Sequence, residues 1–247
     1  MSTAGPATGR VHSWDLSTGV DGPGTRFVLF TSGCPLRCRY CQNPDTWHLR
    51  DGKAVGVDEV LARIETFRVF LAASGGGVTI SGGEPLLQPA FTGEVLRRCK
   101  ALGLHTALDT SGHLGARADD ALLAATDLVL LDIKSFDART YRALTGGALA
   151  PTLRFARRLD ALGTRVWGRY VLVPGWTDAE ADVEGLAAFA AGLGCVERVD
   201  VLPFHKLGAG KYEALGIPFP LRDTPVPDAA LVRRVRERFR AHGLRAD

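Results

Sequence analysis

The chain has 247 residues, 46% of them hydrophobic and 23% charged, which is enough to bury a sizeable core in one domain. Its 30 basic and 27 acidic residues leave a net charge of +3, too weak a bias to point to nucleic acid or a membrane surface as a partner. No stretch approaches the roughly 20 apolar residues that span a bilayer, Met1–Arg10 lacks the apolar segment of a secretory leader, and five cysteines do not make a disulfide framework at this length. The expected compartment is a reducing cytoplasm.

From Arg26 onward, short apolar runs alternate with segments of helical period. Strands are predicted at Arg26–Thr31, Val78–Ser81, His105–Asp109, Leu128–Asp132, Arg165–Val173 and Val199–Leu202. Helices are predicted at Val57–Ala73, Phe91–Leu102, Asp119–Ala125, Thr152–Leu162 and Asp178–Leu193. Stop signals stand at Ser74-Gly75-Gly76-Gly77, Gly103 and Gly163. Six strands alternating with helices predict a parallel sheet with right-handed crossovers. They fall short of the eight units of a closed barrel, so an incomplete (β/α)6 TIM-like barrel is expected. No repeat or interdomain linker is visible. Asp228–His242 reads as a further helix, with Leu231, Val232, Val235 and Phe239 on a packed stripe and its arginines on a solvated face.

The stretch richest in chemistry is Gly33-Cys34-Pro35-Leu36-Arg37-Cys38-Arg39-Tyr40-Cys41-Gln42-Asn43, which follows the first predicted strand. Its C-x3-C-x2-C spacing aims three thiols at one point without a fourth nearby. Closed structural zinc and ordinary iron–sulfur sites use four protein ligands, whereas three leave a position open for something else. A zinc knuckle completed by His48 is the alternative. Asp21-Gly22-Pro23-Gly24 has the composition of a tight turn. Ser81-Gly82-Gly83-Glu84-Pro85 follows the second strand, where glycines let backbone approach a ligand closely. Asp109-Thr110 and Asp132-Ile133-Lys134 end the third and fourth strands. Polar residues there face the mouth of a parallel barrel, or else cap helices. Arg169 reads as a site cation or a salt-bridged structural residue, and His205 as a ligand contact or a surface histidine. Cys99 and Cys195 read as inert packing residues.

At the cysteine loop the chain resembles the radical S-adenosylmethionine (radical SAM) family, and Tyr40 matches that family's aromatic position. The resemblance implies a [4Fe-4S] cluster held by Cys34, Cys38 and Cys41, with S-adenosylmethionine chelating its unique iron. The run Val20-Asp21-Gly22-Pro23-Gly24-Thr25-Arg26-Phe27 resembles the signature of the family's glycyl-radical-enzyme activases. There the loop receives a partner's glycine-bearing peptide, which implies substrate-peptide roles for Asp21, Gly22, Arg26, Lys134 and Arg169. Leu202-Pro203-Phe204-His205-Lys206-Leu207-Gly208 matches a further family motif. The cofactor contacts implied are Tyr40, Cys41, Gln42, Gly82, Gly83, Glu84, Asp132, Ile133, Lys134 and His205. Asp109, Thr110 and Asp132 correspond to a monovalent-cation site (sodium or potassium) beside the cofactor carboxylate, where a cation relieves repulsion among carboxylates.

The resemblance extends from Gly9-Arg10-Val11-His12-Ser13 to the last helix, through Asn43-Pro44-Asp45-Thr46-Trp47 and Val173-Pro174-Gly175-Trp176. The short gap between Cys41 and Val57 leaves no room for a ferredoxin-like insert, which favours the branch whose protein substrate is pyruvate formate-lyase. Gln42, where histidine is frequent, and Pro85, where some members have alanine, depart from the pattern. The implied chemistry is reductive cleavage of S-adenosylmethionine to a 5′-deoxyadenosyl radical, which abstracts a hydrogen atom from a glycine Cα. It implies an electron donor such as flavodoxin or ferredoxin, a monomer, and no general acid or base. The competing readings are a radical SAM enzyme acting on a small molecule and a non-catalytic zinc-stabilised module.

Overall fold

Six apolar runs become six strands close to where they are expected: β2 (Thr25–Thr31), β4 (Gly77–Gly82), β5 (His105–Thr110), β6 (Leu128–Asp132), β7 (Val166–Leu172) and β8 (Val196–Pro203). Two more, β1 (Thr8–Thr18) and β3 (Lys53–Gly56), were not predicted. The computed structural model describes residues 7–247, so the first six residues of the Met1–Arg10 stretch lie outside it. Among the described residues the strands share one sheet in the order β3-β1-β2-β4-β5-β6-β7-β8. From β2 onward the order follows the chain, as successive β/α units require. The β2–β4, β4–β5 and β7–β8 pairs are parallel. The interiors of β2, β4 and β6 are buried along almost their whole length, as strands covered on both faces must be.

The helices are α1 (Val57–Glu65), α2 (Arg68–Ala73), α3 (Pro89–Ala101), α4 (Asp120–Ala124), α5 (Ala138–Thr145), α6 (Leu149–Ala161), α7 (Glu180–Ala191), α8 (Ala209–Ala214) and α9 (Ala229–Ala241). Side chains of Asp119, Asp137 and Asp228 cap α4, α5 and α9 by accepting backbone N–H groups. The single helix expected over Val57–Ala73 is broken. Phe67 leaves the helical path so that its ring meets Trp14 and Phe27, at centroid distances of 5.6 and 6.1 Å. Among the described residues no helix is long and apolar enough to cross a membrane.

The chain forms two compact units. The first takes the chain to Pro35, Thr46–Thr110 and Ala116–Leu130. Its core is built on Val28, Ile64, Val78, Ile80, Val95, Leu96 and Leu108, and β1 adds an antiparallel ribbon to the β2 edge. The second takes Leu36–Asp45, Ser111–Gly115 and Leu131–Asp247, around Tyr141, Leu144, Leu159, Tyr170, Leu172, Phe204 and Phe239. There the buried Asp182 carboxylate accepts the Ser135 hydroxyl at 2.8 Å and the N–H groups of Phe136 and Asp137. These bonds pin the loop that follows Asp132-Ile133-Lys134.

Candidate active site

In the first unit Gly82, Gly83, Glu84, Asp109 and Thr110 sit at the C-terminal ends of β4 and β5, beside the turn that leaves β2. Gly33 turns the chain out of β2 at φ +94, and the Gly33 and Cys34 amides donate to Thr46 O (2.7 Å) and Trp47 O (3.1 Å). At the end of β4, Gly82 adopts φ +115, a backbone state that L side chains rarely enter. The Gly83 and Glu84 amides donate to Thr31 O and Gly33 O, both at 2.8 Å. A Cβ on Gly83 would lie 2.3 Å from Gly33 O, so this strand end can meet the turn before Cys34 only as bare backbone. Asp109 accepts the Ser81 hydroxyl at 2.7 Å. The Thr110 hydroxyl donates to Glu84 Oε1 at 2.6 Å, and the same oxygen accepts Leu86 N–H at 3.1 Å.

Two expectations change here. Glu84 is 1% exposed and its carboxylate caps the short turn at Pro85–Leu87. It ties the end of β5, through Thr110, to the turn after Gly83. Arg26 is 0% exposed. It donates from Nε to Thr79 Oγ1 at 2.9 Å and from Nη2 to Val78 O, and its Nη1 lies 3.0 Å from His105 Nδ1. Burial pulls the guanidinium pKa down to about 10, against the attraction of Asp21. Thr79 Oγ1 in turn donates to Asp21 O at 2.7 Å, so Arg26 braces the turn that carries Asp21 and Gly22. Arg26, Gly77 and His105 are register partners at the N-terminal ends of β2, β4 and β5, which sets this turn at the far end of those strands from Gly83.

In the second unit the rest of the cysteine loop is seated on the last turn of α5. Arg37 N donates to Thr145 O (2.8 Å) and Arg39 N to Leu144 O (2.9 Å), taking up carbonyls that a helix end leaves open. Cys41 N donates to Cys38 O at 3.0 Å, and the Tyr212 hydroxyl to Cys41 O at 3.1 Å. Lys211 Nζ reaches Asn43 Oδ1 at 2.8 Å and Asp45 at 3.0 Å. The Gln42 amide is committed within the protein. Its Nε2 donates to Tyr40 O and His205 O, both at 3.1 Å, and its Oε1 accepts Gly208 N–H at 2.8 Å.

Lys134 pairs with Asp132 at 2.9 Å, with both side chains only 14% exposed, and its ammonium lies 5.7 Å from the centre of the Tyr40 ring. Burial disfavours the ammonium, but Asp132, Tyr40 and Cys38 outweigh it and hold Lys134 charged above the ordinary lysine range. Burial pushes the Cys38 thiol up to about 12, and the Lys134 charge is what opposes it. Ile133 is buried. Arg169 on β7 is the register partner of Asp200 on β8. Burial raises the Asp200 pKa, against the attraction of Arg198 and Arg169. His205 is exposed beyond β8.

The residues fit a cluster of iron and sulfide with a small bound cofactor. No disulfide joins any of the five cysteines, and three of them fall within eight residues of one loop. A fixed cation stands beside Cys38, which favours the thiolate that ligation requires. The Tyr40 hydroxyl is buried without a hydrogen-bond partner, an atom whose desolvation a bound ligand would offset. Cys99 and Cys195, both buried, have thiols pushed up to about 12 and about 11 by burial, which leaves them inert.

The signature of the radical SAM superfamily matches residues 28–187. Over 238 residues, 95% of this chain and 96% of the relative, the sequence is 42% identical to the pyruvate formate-lyase 1-activating enzyme of Escherichia coli K12. The chain belongs to the radical SAM superfamily. Within it, the pyruvate formate-lyase-activating enzyme of Clostridium pasteurianum is 44% identical over 89% of this chain and 92% of its own. A crystal structure of a domain of the pyruvate formate-lyase-activating enzyme from Bacteroides vulgatus superposes with TM-score 0.57 at 25% identity, covering 70% of this chain and 98% of that one. Streptococcus suis SuiB bound to S-adenosylmethionine shares the fold alone, with TM-score 0.67 at 17% identity over 92% of this chain and 50% of its own. The six β/α strands, with an antiparallel ribbon added, are thus those of a radical SAM fold, and membership implies a [4Fe-4S] cluster and S-adenosylmethionine as cofactors.

Sequence reading missed Gln42 as a tie within the protein, along with Lys211, Tyr212 and Asp182. No local signal marks them, because each acts on a residue distant in the chain.

Proposed function

We propose that this chain activates pyruvate formate-lyase. In this reading Cys34, Cys38 and Cys41 hold the [4Fe-4S] cluster. When bound, the cluster and S-adenosylmethionine supply one-electron reductive cleavage and a carbon-centred radical that takes a hydrogen atom from a glycine Cα of the partner. The chain's own residues bind and orient. The bare backbone at Gly82 and Gly83 admits the cofactor's amino acid end, Lys134 keeps positive charge beside Cys38, and Tyr40 and His205 border the cofactor. Asp109, Thr110 and Asp132 hold a monovalent cation, and Asp21, Gly22 and Arg169 meet the partner's peptide. Holding the peptide close is the main demand, because a reactive radical must meet its target before anything else. The whole chain acts as one radical SAM domain, with its core at about 20–243 and no ferredoxin-like insert. It works as a cytoplasmic monomer reduced by a flavodoxin or ferredoxin.

What carries the reading is the C-x3-C-x2-C loop in a chain 42% identical, nearly end to end, to an enzyme of that name. The test uses anaerobically reconstituted protein with reductant, S-adenosylmethionine and pyruvate formate-lyase, followed by electron paramagnetic resonance. The expected result is a glycyl radical doublet that is absent in Cys38→Ala, together with a fall in bound iron. Cofactor cleavage without the doublet would move the partner elsewhere, and stoichiometric zinc without cleavage would sink the reading.

A further inference from the structure

Gln42 directly follows the last cysteine of the loop, yet its side chain leaves that loop. Both amide N–H groups are used, on Tyr40 O and His205 O at 3.1 Å, and Oε1 accepts Gly208 N–H at 2.8 Å. The assignment is self-consistent, since turning the amide over would set its oxygen against two carbonyls and its NH2 against an N–H. Gly208 is cut to fit, because a Cβ there would stand 2.9 Å from Gln42 Oε1 and 3.0 Å from Gln42 Cα. The stretch His205–Gly208 is also held by Lys206, whose Nζ donates to Arg222 O and whose carbonyl accepts Ala209 N–H at 3.0 Å, and by Gly208 O, which accepts Lys211 N–H at 3.0 Å. Leu207 is 86% exposed, and its N–H reaches only His205 Nδ1, at 3.4 Å. His205 and Gly208 are 163 and 166 residues from Gln42 in the chain, so this amide joins distant segments, beside the ties that Lys211 and Tyr212 make to Asn43, Asp45 and Cys41 O.

We propose that Gln42 is a positioning residue that locks the loop after β8 to the cysteine loop, so that His205 and Cys41 meet one bound S-adenosylmethionine in fixed register. This rests on the reading of His205 as a cofactor contact. Glutamine suits the task because it donates twice and accepts once from a single planar group. Glutamate has the same shape and still accepts from Gly208, but it cannot donate and faces two carbonyls. Alanine removes all three bonds.

The test is Gln42→Glu beside Gln42→Ala, with two readouts. In the metal-free proteins, amide hydrogen exchange over 205–208 is expected to accelerate about tenfold or more as the ties are lost, with α9 unchanged. In reconstituted proteins the KM for S-adenosylmethionine, read from 5′-deoxyadenosine release without any partner enzyme, is expected to rise about tenfold. Bound iron should stay at the wild-type level, with the loss falling on KM more than on kcat. Wild-type exchange and KM in Gln42→Glu would overturn the proposal. So would loss of iron in step with loss of cofactor binding, since Gln42 would then serve only to fold the cysteine loop. Because no partner enzyme enters the assay, a wrong partner assignment leaves these outcomes legible. If the wild type released no 5′-deoxyadenosine, both this inference and the proposed function would fall, unlike the case of failed radical formation on pyruvate formate-lyase alone.

Discussion

The two units carry their candidate residues in opposite ways. In the first, the ends of β2 and β4 meet through backbone, and Gly33, Gly82 and Gly83 are glycines because neighbouring main chain or side chains fill the space a Cβ would take. In the second, side chains add to the backbone bonds on Leu144 O and Thr145 O: Gln42 within the loop, Lys211 and Tyr212 from α8, and the Asp132–Lys134 pair beside Tyr40. A backbone-built surface fails when anything is added, whereas a side-chain-built one fails when anything is removed.

The sharpest contrast comes from removing charge in the second unit. Lys134→Met leaves Asp132 without its partner in a nearly buried position, and breaking such a pair costs about 3–5 kcal/mol. Urea melts should show that loss, and iron retention should fall with it as Cys38 loses the positive charge that opposes the effect of its burial. A variant as stable as the wild type would mean that the pair does not organise this region. Adding a methyl in the first unit comes next. Gly83→Ala must displace Gly33 O, an overpacking cost of about 1–3 kcal/mol, and cofactor affinity should fall further than stability does. Equal behaviour of Gly83→Ala and wild type would erase the distinction between the units.

The smallest effect lies away from both sets. Burial opposes the Asp127 carboxylate, but bonds from Lys100 and Thr106 outweigh it and hold its pKa below the usual range. Its contribution is therefore complete above the unfolded carboxylate pKa of about 3.9 and lost as pH falls through the lower folded value. The stability gap between wild type and Asp127→Asn should be steady at neutral pH and close under acid. A gap that widens on acidification would reverse the sign of the argument.

How legible these features were follows from the same contrast. The six strands were visible as apolar runs, most plainly β2, β4 and β6, where burial on both faces leaves little choice of residue, and their ends fell within a few positions of expectation. The Gly82-Gly83 pair was visible for a related reason. β1 was not, because His12–Thr18 is exposed or half-buried throughout and shows no period of two. The bend at Phe67 has no local cause, since its ring answers to Trp14 and Phe27. Arg26 and Glu84 carry charges that suggest ligand contacts, yet each is buried and spent on neighbouring strands. Only tertiary structure separates a charge that meets a ligand from one that braces the backbone.

The supports of the cysteine loop also impose an order in time. Its amides rest on carbonyls of residues 144 and 145, and its last residues are tied by Gly208, Lys211 and Tyr212. None of these exists when Cys41 leaves the ribosome, and contacts so distant in sequence form late. Until Tyr212 has been made, the loop can have its bonds to Thr46, Trp47, Leu144 and Thr145 but lacks the full set of ties at its last residues. The seat of Cys41 is therefore complete only in the finished chain, and a nascent chain stalled before Tyr212 would lack the bond to Cys41 O.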